Sequence, residues 1–193
     1  MGFWQKWKGC MVRKGKAEDC RGIYELICDM EEKELPWDAF SQMYGEMLAD
    51  SRHVFLVWEE ETQVKGVLHL RMERQLHHAA LVAEIMEFAV DKNARSNGIG
   101  GEMLTYASDL AKEAGCVQIE VACNQLRKNT HRFYLREGMQ NFHYKFSKSL
   151  TGEDTTENVL ADKETPCRGR TGGLLFDFMN DLMEFSKRSR NST

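Results

Sequence analysis

The sequence predicts an α/β domain in which strands and helices alternate and pack in layers. Three observations support this. Apolar residues recur at helical spacing in several segments, as at Met103, Leu104 and Ala107. Between those segments lie short apolar runs rich in β-branched and aromatic residues, which are typical of strands. The connections between the runs are short. One domain of this kind fits residues 1–150 of the 193-residue chain.

The first half of the domain predicts one short strand, two helices and a hairpin. Its long apolar stretches repeat at helical spacing, as at Ile23 and Ile27, and Pro36 separates two of them. Two later apolar runs are divided by a polar turn, which is typical of a hairpin. The resulting elements are a strand at 11–14, helices at 17–32 and 37–48, and strands at 54–59 and 64–74.

The second half predicts a central strand, a helix and a fifth strand, and then one more helix and strand. The central strand covers residues 81–90, and a helix follows from the glycines near 100 to residue 113, with Gly115 as its cap. Residues 117–122 predict the fifth strand. Asn129 or Thr130 begins a fourth helix that ends before Gly138. A final strand is predicted at 141–150, where three aromatic residues alternate with polar ones: Phe142, Tyr144 and Phe146.

The C-terminal part of the chain has a different composition. Residues 151–173 are rich in Thr, Glu, Asp and Gly and predict a linker. Residues 174–187 predict an amphipathic helix whose apolar side would be a sticky surface if it were left bare. We expect it to pack on its own domain or on a second copy of the chain, forming a homodimer. The polar face of this helix is acidic, which argues against membrane binding.

Composition excludes several classes of partner. The net charge is −4 and the pI is about 5.9, so no nucleic acid or anionic membrane is expected as a partner. No apolar run approaches the ~20 residues of a membrane helix, and the N-terminus does not have the pattern of a secretory signal. Six cysteines occur without a CxxC pair, which indicates reduced thiols rather than a zinc or redox motif. A cytoplasmic protein is therefore expected.

A glycine-containing loop joins the central strand to the following helix. Backbone N–H groups at a helix N-terminus favour a bound anion, and phosphate is the obvious candidate. Gly98 and Gly100 let the main chain approach such an anion, and Arg95 adds positive charge. The alternative is an ordinary strand-to-helix connection. Met103 stands where a dinucleotide fingerprint needs its third glycine, and the Gly-Lys-Ser/Thr of a P-loop is absent.

The loop and a later motif carry a family resemblance. Arg-x-x-Gly-x-Gly after a strand ending in Ala89-Val90, taken with Phe133-Tyr134-Leu135-Arg136-Glu137-Gly138, resembles the acyl-CoA pyrophosphate loop and fourth helix of the GNAT superfamily of N-acetyltransferases. The resemblance covers roughly residues 10–150. Ser96 and Asn97 depart from it, since the family usually has a glycine followed by a long polar or basic residue there.

The resemblance implies a fold and a cosubstrate. The fold would be a GNAT-like sandwich, in which a mixed, mostly antiparallel and twisted sheet carries helices on both faces. The cosubstrate would be acetyl-CoA, with its pantetheine arm on the backbone of the central strand and its diphosphate on the loop. The implied cofactor-binding residues are Phe88, Ala89, Val90, Arg95, Ser96, Asn97, Gly98, Ile99, Gly100 and Gly101.

Acetyl transfer to an amine requires a base. An alkylammonium with a pKa of ~10.4 is only about one part in a few thousand free amine at pH 7, and a positioned carboxylate can remove its proton. Glu84 and Glu87 are the candidates. Residues three apart on a regular strand face opposite sides, so only one would reach the site unless a bulge separates them. Glu84 is favoured because Ala83-Glu84-Ile85 resembles the histone-acetylating branch of the superfamily; in the alternative, one or both acids pair with a neighbouring Arg or Lys.

Tyr134 matches the general-acid tyrosine of the superfamily, which would protonate the departing thiolate. The alternative is a tyrosine of the core. Arg127 stands seven residues earlier, where the family usually has asparagine, so any contact with CoA from that position would be ionic.

The acceptor is predicted to be a small primary amine. The spacing of Arg127, His131, Phe133 and Tyr134 resembles members of the aminoalkylphosphonate N-acetyltransferase type. A phosphonate could bind His77, His78 and Arg127, together with Arg71 and Arg74, directly or through a divalent metal that bridges histidine and carboxylate, although no metal is predicted. Solvated charges at a strand end are the alternative. The competing functions are a peptide or aminoglycoside acetyltransferase and a non-catalytic acyl-CoA-binding module.

Overall fold

The computed structural model describes residues 12–150. One sheet of five strands runs through this region in the order β1-β2-β3-β4-β5. The first four strands are antiparallel neighbours, and β4 and β5 are parallel. The strands are β1 (Val12–Lys14), β2 (His53–Glu60), β3 (Gln63–Gln75), β4 (Ala80–Val90) and β5 (Cys116–Val121). This confirms the predicted α/β fold with a mixed, mostly antiparallel sheet.

Four α-helices accompany the sheet. A short 3-10 turn leads into the first helix, and Pro36 precedes the second, where its fixed φ is compatible with a helix start. The third helix begins after Gly98 and ends before Gly115, whose φ of +85° suits the left-handed end of a helix. The helices are α1 (Cys20–Glu31), α2 (Trp37–Ala49), α3 (Ile99–Glu113) and α4 (Lys128–Arg136).

The helices cover both faces of the sheet. On one face, α3 buries Met103, Tyr106 and Ala107 against Leu68 and Leu70 of β3. On the other face, α1 and α2 bury a second cluster against the sheet: Ile23, Leu26, Ile27, Tyr44, Phe55, Val57, Val67 and Ala89. Because α3 joins the parallel strands β4 and β5, its N-terminus lies at the carboxyl end of β4.

The strand expected at 141–150 does not form: residues 141–149 have no regular secondary structure, and Phe142 and Tyr144 are exposed. Among the described residues, no strand pairs with this segment. The linker at 151–173 and the helix at 174–187 lie outside the described residues. Within residues 12–150, no helix is long and apolar enough to cross a membrane.

Candidate active site

The central strand β4 contains a bulge that decides which way its acids face. Leu70 of β3 pairs with Ile85 and His69 pairs with Glu87, so Met86 is an extra residue without a partner on β3. Glu84 pairs with Arg71, which is two residues from His69 on β3. Because residues two apart on a strand share a face, Glu84 and Glu87 lie on the same face of the sheet.

A cavity opens where β4 and β5 separate. Their pairing ends at Ile85 and Val121, and in the described part of the chain β4 continues from Glu87 to Val90 with β3 as its only strand partner. The cavity has a volume of about 300 Å³. Its walls come from the end of α1, the second half of β4, the chain after β5 and the first turns of α4: Met30, Glu31, Ile85, Met86, Glu87, Phe88, Val121, Ala122, Cys123, Asn124, Arg127, Thr130 and Tyr134.

Glu87 is a half-buried carboxyl in this cavity. Burial raises its pKa above the ordinary value because the charged form loses its hydration. The nearby Glu31 carboxylate raises the pKa further, and the Arg127 guanidinium opposes the rise. Glu87 is therefore a stronger base than an exposed glutamate would be.

Glu84 has a different environment. Arg71 Nη2 donates a hydrogen bond to its Oε2 at 2.7 Å, and the Glu84 side chain is 26% exposed. Glu84 does not belong to the cavity wall. The structure therefore brings Glu87, and not Glu84, into one cavity with Tyr134.

Tyr134 is 9% exposed and is carried into the cavity by α4. Burial raises its pKa to about 12, with a contribution from Cys123. Its hydroxyl forms no hydrogen bond with any residue between 12 and 150. A hydroxyl that belongs to a cavity-lining residue and has no hydrogen-bond partner within residues 12–150 is suited to bind a ligand atom.

Arg127 links α4 to α1 across one side of the cavity. Its Nη2 donates to the backbone oxygen of Met30 at 3.2 Å and to Glu31 Oε1 at 3.1 Å. Glu31, the last residue of α1, therefore belongs to the site. Its position in the sequence gave no signal, because a glutamate at a helix end is usually a solvated charge.

The glycine loop is exposed at the N-terminus of α3. Residues 95–98 are solvent-exposed, and the space beside Gly98 is open, since an added Cβ would have no neighbour within 4 Å. Ser96 and Gly98 have φ values of 69° and 84°, in the left-handed region. Arg95 Nε donates to the backbone oxygen of Val90 at 3.0 Å, which ties the loop to the end of β4.

The two glycines of the loop differ in their surroundings. A Cβ at Gly100 would lie 3.3 Å from the ring of Phe133, which is tighter than an ordinary contact. The Phe133 ring also meets Phe88 of β4 at a centroid distance of 5.9 Å. Gly100 therefore allows α3 and α4 to pack closely beside the second half of β4.

The predicted histidine site lies apart from the cavity. His77 and His78 stand in the turn between β3 and β4, with their ring centroids 4.3 Å apart, and His78 Nε2 lies 3.9 Å from Glu120 Oε1. The strand from Ala80 to Glu87 spans about 20 Å, so the structure does not bring these histidines together with Arg127. Across residues 12–150, no group of three His, Cys, Asp or Glu side chains is arranged to hold a metal ion.

The parallel strands β4 and β5 stop pairing beside a cavity, and an exposed glycine loop leads from β4 into α3; this is the arrangement expected of an acyl-CoA-dependent acetyltransferase. Residues 20–139 match the model of the acetyltransferase (GNAT) family, and the chain belongs to that family. It is therefore an acyl-CoA-dependent N-acetyltransferase, as the sequence predicted.

One relative among characterised proteins is similar over most of its length. The chain is 35% identical over 141 residues to the aminoalkylphosphonate N-acetyltransferase of Salmonella typhimurium, an alignment that covers 73% of this chain and 92% of that protein.

Solved structures share the fold. A transcriptional regulator from Bacillus halodurans C-125 superposes with a TM-score of 0.67 at 21% identity, covering 72% of this chain and 97% of that one. The glucosamine-6-phosphate N-acetyltransferase of Arabidopsis thaliana gives a TM-score of 0.62 at 24% identity, again over 72% of this chain and 97% of that one.

Proposed function

We propose that this protein transfers the acetyl group of acetyl-CoA to the primary amine of a small molecule, and that an aminoalkylphosphonate is its acceptor. One observation carries the proposal: Glu87, Arg127 and Tyr134 line a single cavity at the point where β4 and β5 separate. A base, a cation and an acid are the groups that an anionic amine acceptor and a thioester donor require. The aminoalkylphosphonate N-acetyltransferase of Salmonella typhimurium, at 35% identity, supports the choice of acceptor.

The cosubstrate would lie along the second half of β4. The unpaired edge of this strand offers backbone groups to the pantetheine arm, and the exposed loop at 95–101 offers amides to the diphosphate. Acetyl-CoA supplies an acyl group activated as a thioester. The sulfur would then lie in the cavity, near Tyr134.

Glu87 is the proposed base. It takes a proton from the ammonium of the acceptor, directly or through water, and the free amine then attacks the thioester carbonyl carbon. Glu84 carried the stronger family resemblance, but its carboxylate is already paired with Arg71 at 2.7 Å. Proton removal by Glu84 would have to break that pair, whereas Glu87 forms no ion pair within residues 12–150.

Tyr134 is the proposed acid. As the tetrahedral intermediate collapses, its nitrogen loses the second proton to solvent, the C–S bond breaks with its electron pair going to sulfur, and the Tyr134 hydroxyl donates its proton to the thiolate. A pKa of about 12 keeps this hydroxyl protonated at neutral pH. The proton is returned by solvent before the next turnover.

The test combines binding and turnover. Calorimetry should detect coenzyme A binding to the purified protein, and thiol release from acetyl-CoA should require a small amine, with an ω-aminoalkylphosphonate giving the highest kcat/KM in an amine panel. Saturable coenzyme A binding without thiol release from any amine would support a non-catalytic module. Release only with large polycationic acceptors would support a peptide or aminoglycoside acetyltransferase.

A further inference from the structure

We propose that Arg127 and Glu31 form an exchangeable ion pair that selects for acceptors with an anionic group. In the structure the Arg127 guanidinium is bound to the Glu31 carboxylate; when the acceptor enters, its anion takes the place of Glu31. This inference rests on the proposed function and adds Glu31 as a residue that determines specificity.

The pair is located where an acceptor must enter. Arg127 and Glu31 both line the cavity that holds Glu87. An acceptor whose amine lies at Glu87 therefore has its remaining atoms within reach of the pair, because the whole cavity has a volume of only about 300 Å³. An amine and an anion separated by a short alkyl chain would find a carboxylate at one end and a guanidinium at the other.

The strength of the contact suits exchange. Arg127 meets Glu31 through one hydrogen bond of 3.1 Å, and both side chains are 40% exposed. By contrast, Arg13 meets Asp19 through two hydrogen bonds of 2.7 Å, and Asp19 is only 7% exposed. An exposed pair contributes little to stability, whereas a phosphonate can accept two parallel hydrogen bonds from a guanidinium. The Arg127 pair can therefore be replaced by a ligand, and the Arg13 pair is structural.

The Met30 carbonyl completes the device. It accepts a hydrogen bond from Arg127 Nη2 at 3.2 Å and so holds the guanidinium at the C-terminal end of α1. This bond does not neutralise the charge of Arg127. When Glu31 leaves, the guanidinium stays in position with its positive charge available to the anion.

Replacement of Glu31 by the acceptor's anion also affects the pKa of Glu87, the proposed base. Five titratable groups surround Glu87 from the elements packed on it: Glu31 of α1, His69 at the opposite position of β3, Cys123 after β5, and Arg127 and Tyr134 of α4. Glu31 raises the pKa of Glu87 by like-charge repulsion. Removing the Glu31 charge should therefore lower the pKa of Glu87, an effect that a purely structural role for Glu31 would not produce.

The experiment compares two acceptors and two variants. An ω-aminoalkylphosphonate and the alkylamine of the same length that lacks the phosphonate are assayed with the full chain and with Glu31→Gln. The KM of the phosphonate should fall about twofold to fivefold, as expected from loss of a competing exposed ion pair, and the KM of the alkylamine should stay within about twofold. The acid limb of kcat/KM should move to lower pH.

Glu25→Gln is the matched control. Glu25 lies on the same helix and forms a comparable exposed pair with Arg21 at 2.9 Å, outside the cavity. It should change neither KM nor the acid limb. If Glu31→Gln raises the KM of the phosphonate, or changes both acceptors by the same factor, the exchange is refuted even though the enzyme is active.

Failure of the proposed function gives a different result. In that case the wild-type protein acetylates neither acceptor, and calorimetry with the phosphonate still tests the pair directly. Tighter binding of the phosphonate to Glu31→Gln than to wild type would support exchange. Equal or weaker binding would overturn it.

Discussion

Each half of β4 contains a glutamate, and the two glutamates have different surroundings. In the first half, up to Ile85, the strand is paired on both edges, and Glu84 is bound to Arg71 at 2.7 Å. In the second half, β5 has ended, the strand is paired with β3 alone among the described residues, and Glu87 faces a cavity. Both acids lie on one face because Met86 is bulged.

This difference shows how a strand can separate structure from chemistry. Where both edges are paired, a carboxylate on the face is stabilised by a cross-strand partner and becomes part of the sheet. Where one edge is open, the same type of side chain, Glu87, forms no ion pair within residues 12–150, and burial raises its pKa. The end of β5 at Val121 marks the boundary between the two.

The largest expected effect distinguishes the two acids. Glu87→Gln should lower kcat/KM by about 10²- to 10⁴-fold, the usual contribution of a general base. Glu84→Gln should lower it less than about tenfold, because Glu84 lies outside the cavity wall. Steady-state kinetics at neutral pH measure both, with coenzyme A binding as the control for folding. The reverse order of effects would assign the base to Glu84.

Removal of the Tyr134 hydroxyl, the proposed general acid, should have a smaller effect. Tyr134→Phe keeps the ring packed beside Phe133 and removes only the hydroxyl, so the thiolate would leave unprotonated. We expect kcat to fall by about 10²-fold, with little change in the KM for acetyl-CoA. Single-turnover measurements of thiol release test this, and an unchanged kcat would make Tyr134 a residue of the core.

The pH profile of the reaction should reflect the environments of Glu87 and Tyr134. The pKa of Glu87 is raised, so activity should fall as the pH drops through a value above the ordinary 4.5, and Glu87→Gln should abolish this limb. Tyr134, with a pKa of about 12, stays protonated and should cause no loss of activity below about pH 11. Rates of thiol release from pH 5 to 10 provide the measurement. An acid limb that survives in Glu87→Gln would belong to another group.

The smallest effect is expected from loss of the Arg71–Glu84 pair in the first half of β4. Arg71→Gln removes the partner of Glu84, and since both side chains are partly exposed, the free energy of unfolding should fall by only about 0.5–1 kcal/mol. The kcat/KM should change less than about twofold. Urea denaturation and kinetics measure the two quantities. A large loss of turnover would mean that Glu84 and its partner take part in the reaction.

The sequence predicted the elements of the fold well because their signals are local. Apolar spacing located α1, α2 and α3, and the polar turn at Glu61 and Thr62 located the hairpin. The glycine loop and the Phe133-Tyr134 motif also predicted the family to which the chain belongs. The alternation at 141–150 indicated a strand, but alternation shows only that a segment could pair, and pairing requires a neighbour.

The arrangement of the site could not be predicted in the same way. Sequence reasoning recognised that a bulge would place Glu84 and Glu87 on one face, yet nothing marks Met86 as the bulged residue, since it is an ordinary apolar residue in a strand. The choice between the acids depends on where β5 stops pairing, which is a tertiary property. Glu31 reaches the cavity only because α1 ends beside α4.

The contact between Gly100 and Phe133 connects the two ends of the cosubstrate path. Gly100 belongs to the first turn of α3, at the proposed diphosphate end, and Phe133 immediately precedes Tyr134, at the proposed sulfur end. With 3.3 Å between the ring and an added Cβ, a side chain at position 100 would require the Phe133 ring to shift by a few tenths of an ångström. We therefore expect positions 100 and 133 to covary among homologues. A substitution at either position should affect both nucleotide binding and protonation of the leaving group.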